Sequence, residues 1–93
     1  MTEHILQTRD VYWDAVQRGE KTFEVRRDDR GFQKGDTVVL RRMIHSTLPR
    51  DDWYVDRGGS FDSCRDLPRK ISYILTGGQW GIEPGYVVLG LKK

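Results

Sequence analysis

Apolar and polar positions alternate in short bursts along this chain, and most bursts have the period of two expected of a half-buried strand. Residues 4–7 form the first, a short strand with Ile5 or Leu6 turned to the core. Beyond Asp10 the period lengthens. Tyr12, Ala15 and Val16 recur at i, i+3 and i+4, one buried face of a short helix, with Thr8 or Asp10 as its cap and Gly19 in the left-handed position that closes it. Residues 22–26 return to alternation. Burying Phe23 and Val25 there places Glu24 and Arg26 together on the opposite face, with Lys21 at its mouth.

A charged connector, residues 27–31, and a tight turn, residues 32–36, lead into the clearest strand, residues 37–43. It carries Val38 and Leu40 on one face and Val39 and Arg41 on the other. Residues 70–75 read as a strand with Ile71, Tyr73 and Leu75 on one face. Residues 86–91 read as another, with Val87, Leu89 and Leu91 inward. Between them, residues 76–85 hold four glycines and a proline, a long turn around Trp80 and Ile82. Residues 44–69 show no such period. Ser, Asp, Arg, Gly and Pro dominate, with Trp53, Tyr54 and Phe61 as the large apolar anchors. This reads as a long, functional or mobile loop, with a short strand near residues 53–55 as an option.

Five or six short strands and one main N-terminal helix predict an α+β, mostly β domain, a small mixed β-barrel. With 93 residues the chain makes a single domain, residues 1–93. A net charge of +2 permits a polyanionic partner without requiring one. A single cysteine, Cys64, excludes an internal disulfide and fits a reducing compartment. Neither a signal peptide nor a long apolar run is present, so the chain reads as a cytoplasmic monomer with no membrane contact. His4, His45 and Cys64 lack the spacing of metal ligands, so neither a metal nor a cofactor is expected.

Several motifs carry a resemblance. His4 with Leu6, Tyr12-Trp13 before Ala15-Val16, Gly19-Glu-Lys-Thr-Phe-Glu-Val-Arg26, the run from Asp29 to Asp36, and Gly85 to Leu91 together resemble the ASCH-like domains of the PUA-like superfamily. The likeness is greatest to a small, functionally uncharacterised bacterial and phage branch, and it spans nearly everything except residues 44–69. It implies a PUA-like barrel, a fold associated with RNA and with pockets for modified bases. Other ASCH domains are amidohydrolases acting on N4-acetylcytidine, and Gly19, Lys21, Thr22 and Arg26 match their pattern. Glu24 stands where those enzymes carry a threonine, and residues 70–75 hold no counterpart of their distant glutamate.

Three functions compete. In the first, RNA or a modified nucleoside binds in a cleft at Lys21, Thr22, Glu24, Arg26 and Arg27. Arg26 and Lys21 grip a phosphate or base carbonyl there, and Glu24 accepts from an exocyclic amine. Trp13, Phe32, Trp53, Tyr54, Phe61, Trp80 and Tyr86 are the aromatic choices for base stacking, and Trp53 and Trp80 lead because they sit in polar loops. In the second, Glu24 is a general base and Lys21 an oxyanion stabiliser in a small amidohydrolase. In the third, the loop at residues 44–69 docks a protein partner. Set against all three, an exposed Lys21–Glu24–Arg26 salt bridge would be an ordinary surface feature worth at most ~1 kcal/mol.

Overall fold

The computed structural model describes residues 1–59 and 63–93, so Phe61 lies outside the described residues. In order, the chain forms β1 (Glu3–Arg9), α1 (Asp10–Gln17), β2 (Phe23–Arg27), β3 (Thr37–Ser46), β4 (Asp52–Val55), β5 (Asp66–Thr76) and β6 (Tyr86–Lys92). The fold is α+β and mostly β, as the alternation predicts. One curled sheet runs β1-β3-β5-β6-β2, with β4 paired to β3 off this path. The β1–β3 pair is parallel and every other pair antiparallel. No ladder joins β1 to β2 among the described residues, so a seam separates the two ends of the sheet.

The core lies between the inner face of this sheet and α1. Leu6, Val38, Leu40, Ile71, Val87, Leu89 and Leu91 come from strands, Trp13 and Val16 from the helix, and Phe32 from the connector. Of the two options in the first strand, Leu6 is buried and Ile5 exposed. In the helix the buried stripe is Trp13 and Val16 rather than one centred on Tyr12, which is half exposed. The indole of Trp13 donates to Leu40 O at 2.8 Å, and this bond turns the helix by one residue from the expected face. Neither Thr8 nor Asp10 caps its start, because Arg9 occupies the cap position without a side-chain bond. Gly19 closes it as expected, at φ 82°.

Residues 44–69 are more regular than their composition suggests. Residues 44–46 continue β3, and β4 folds back on it with Trp53 opposite His45. β5 begins at Asp66, whose carboxylate holds Arg41 through two bonds of 3.0 Å. Arg42 ties the region to the helix. Its Nε and Nη2 donate to Asp14 at 2.9 and 3.0 Å, and its Nη1 to Asp56 at 2.7 Å. Such a fork needs the planar guanidinium and would not survive replacement by lysine.

Candidate functional site

The seam between β1 and β2 opens into a cleft of about 410 Å³ lined by β1, α1 and β2. Its character follows from β2. Glu24 stands opposite Leu89 and Arg26 opposite Val87, and both partners are core residues, so both side chains project to the inner face. The expected orientation is therefore reversed. Phe23 and Val25, read as core, are about half exposed, and Glu24 is buried. The outer face of β2 continues the apolar surface of Val88 and Leu75, which lets Phe23 and Val25 remain outside.

A carboxylate buried among core strands must be paired. Lys21 Nζ donates to Glu24 Oε2 at 2.6 Å, and Arg26 Nη2 lies 3.6 Å from Oε1. The helix end brings Lys21 there, because the backbone N–H groups of Glu20 and Lys21 both donate to Ala15 O and fold the chain back toward α1. The ammonium consequently sits 5.2 Å from the ring centres of Tyr12 and of Phe23. Arg26 reaches across the seam, donating from Nη1 to Gln7 O at 3.1 Å and from Nη2 to the buried Thr8 hydroxyl at 3.0 Å. Two buried atoms of this cluster, Glu24 Oε1 and Arg26 Nε, have no hydrogen-bond partner. An acceptor and a donor of one buried cluster are thus left without a hydrogen bond, where most native sites would satisfy both.

Lys21, Glu24 and Arg26 are therefore together, as the strand pattern predicted, but as a partly buried network and not an exposed salt bridge. The other sequence candidates lie elsewhere. Thr22 is exposed outside the cleft, its carbonyl accepting from Leu91 N at 2.8 Å. Arg27 points away to the Tyr86 hydroxyl at 3.5 Å. Trp53 packs under Arg9, 5.0 Å from its ring centre, and beside His45. Trp80 is 80% exposed at the tip of the β5–β6 connection and does not line the cleft. Trp13 and Phe32 are core residues, leaving no open ring face at either.

The sequence reading missed Gln7 and Thr8 on β1 and the two rings of Tyr12 and Phe23. All four line the cleft. The tyrosine and phenylalanine were assigned to the core because apolar residues at helix and strand spacing ordinarily go there. A usable signal was present in Thr8, two residues from Leu6 on the strand and hence on the same inner face. Among the described residues, Glu24 supplies the only carboxylate of the cleft lining, and no group of His, Cys, Asp and Glu converges on a possible metal position.

No curated protein matches this chain. Residues 3–91, nearly the whole length and all of the cleft, match a family model described as Domain of unknown function (DUF3850), and the chain belongs to that family.

Proposed function

We propose that this is a PUA-like, ASCH-like module whose barrel is open along the β1–β2 seam, and that the seam cleft binds the base of an RNA or a modified nucleoside. The observation that carries the reading is the open pair, Glu24 Oε1 and Arg26 Nε. A pairing edge with an exocyclic amine beside a ring nitrogen or carbonyl, as in cytosine or adenine, supplies the donor and the acceptor that these two atoms lack. Tyr12 and Phe23 offer stacking surface at the same mouth. Entry requires Arg26 to swing from Gln7 and Thr8, bonds that the bound base would replace.

A second reading, hydrolysis of an acylated nucleoside, draws on the same oxygen without a hydrogen bond, as the acceptor of a proton from water. The geometry asks much of it. Glu24 would serve as the one carboxylate of the cleft, and Lys21, engaged by a carboxylate and two rings, is an ammonium donor and not a free amine nucleophile.

The test is an NMR titration with cytidine, N4-acetylcytidine and a short single-stranded RNA, with acetate followed in the same sample. Shifts clustered on Tyr12, Lys21, Phe23, Glu24 and Arg26 without acetate are expected. Glu24→Gln should weaken binding by about 1.5–3 kcal/mol, roughly ten- to a hundredfold. Released acetate would replace binding by hydrolysis, and silence from all three ligands would sink the cleft as a base site.

A further inference from the structure

A second concavity, about 590 Å³, lies where β5 and the end of β6 meet the turn at residues 34–35, and Lys34, Lys70, Lys92 and Lys93 are among its lining residues. All four lysines are exposed, and none makes an ion pair among the described residues. Lys70 and Lys92 are direct cross-strand partners on β5 and β6. Like charges directly opposite destabilise a sheet, so this placement works against the fold itself. Lys34 joins them because its turn is pinned to β5, Gly35 N donating to Ile71 O at 2.9 Å. Several arginines elsewhere are answered by carboxylates, as Arg41 is by Asp66 and Arg42 by Asp14 and Asp56.

The patch is also connected. Lys92 and Lys93 border a smaller hollow with Lys21 and Arg69, and Lys21 in turn lines the seam cleft. A basic path thus leads from the base cleft over the end of β6 to the four lysines. One small anion cannot touch all of it, whereas successive phosphates of a chain can.

We infer that the Lys34–Lys70–Lys92–Lys93 concavity is a phosphate-backbone site for a single-stranded nucleic acid. It rests on the base reading of the cleft in one respect, which is that this reading makes the polyanion a nucleic-acid strand. The lysines act as point charges and select no sequence.

Fluorescence anisotropy of labelled oligouridine over a salt series tests this, with cytidine titrated separately into the cleft. Each phosphate contact on a single strand contributes about 0.7 to the slope of log affinity against log salt. Lys70→Gln/Lys92→Gln should therefore reduce the slope by about 1.4 and weaken binding on the order of tenfold at about 0.1 M salt. Lys70→Arg/Lys92→Arg should keep both, and the Gln pair should melt no lower than the wild type because a repulsion has been removed. Wild-type affinity and slope in the Gln pair would overturn the inference. So would displacement of the oligonucleotide by inorganic tripolyphosphate at equal phosphate concentration, which assigns the lysines to a free anion. Lysine-dependent oligouridine binding without any cytidine response supports this site and sinks the cleft reading, and cytidine binding without oligouridine binding does the reverse.

Discussion

Glu24 is a buried carboxylate on the inner face of the sheet, and Asp36 is its counterpart at the opposite end of the first strand. Asp36 is buried and accepts from His4 Nε2 at 2.9 Å, from Thr2 N at 3.1 Å and from Gln33 N at 3.1 Å. The bond from His4, then the backbone donors, hold its carboxyl below the usual carboxylate range. Asp14 is lowered chiefly by its bond from Arg42, and Asp56 chiefly by the backbone N–H of Gly58. A depressed folded pKa gives stability that is complete above the unfolded value, about 3.9, and is lost as pH falls through the folded one. Acid unfolding of the wild type should set in below about pH 4. Asp36→Asn should flatten that loss while lowering stability at neutral pH, measured by urea melts across pH. An unchanged acid limb would remove Asp36 from the account.

Trp80 poses a different question. It is the one non-glycine residue with positive φ among the described residues, at 55°, followed by Gly81 at 77°. The Gln79–Ile82 bridge makes these the centre of a primed hairpin turn, where Asn-Gly is favoured. Trp80→Asn should raise stability by about 1 kcal/mol, since the exposed indole gives up little packing. A drop in the thermal midpoint would mean that the ring anchors the turn after all.

At the level of elements, the β5–β6 connection is shaped by a close approach at Gly77. A Cβ there would stand 2.1 Å from Glu83 O and 2.4 Å from Tyr86 O, both backbone atoms. Gly77→Ala should cost about 3 kcal/mol or more, as a backbone shift is required. At Gly81 nothing lies within 4 Å, and alanine there meets only the strain of its φ, about 1 kcal/mol. Comparing the two thermal midpoints separates crowding from dihedral strain.

The strands and the single helix were legible because their periods are strong. Val38 with Leu40, and Val87 with Leu89 and Leu91, went inside as read. The failures concern phase. In β2 two apolar residues alternate with charged ones, and this pattern is the same whichever face is buried. The polar phase went inside because β2 flanks the seam, where Thr8, Gln7 O and Lys21 wait as partners. In β5 the register shifts between Ile71 and Tyr73, so Ile71 and Ile74 pack inward and Tyr73 is turned out. A bulge of one residue leaves no mark on composition. The short strand read as an option near residues 53–55 is present as β4; what stayed hidden is its pairing, since its ladder partner is the tail of β3 beyond the strand as read.

The whole molecule is a ladder with two loose ends held side by side by arginines. Arg26 reaches Gln7 O, and Arg30 donates to Ile5 O at 2.8 Å. Arg30→Ala should speed hydrogen exchange of the β1 amides by about fivefold, the loss of roughly 1 kcal/mol, and leave β6 unchanged. Equal acceleration in both strands would mean that the seam opens only with global unfolding. No helix among the described residues is long and apolar enough to cross a membrane.

The order of that ladder also decides when the cleft can exist. Every residue lining it lies between Gln7 and Arg26, yet among the described residues β2 has a single ladder partner, β6, at Tyr86–Lys92. On the ribosome these residues emerge early and wait, because the strand that carries Glu24 and Arg26 has nothing to pair with until β6 has left the exit tunnel. Formation of the cleft is therefore a late event in the life of each nascent chain. A chain cut short before Tyr86, or nicked between β5 and β6 and allowed to dissociate, would keep every cleft residue and have no cleft.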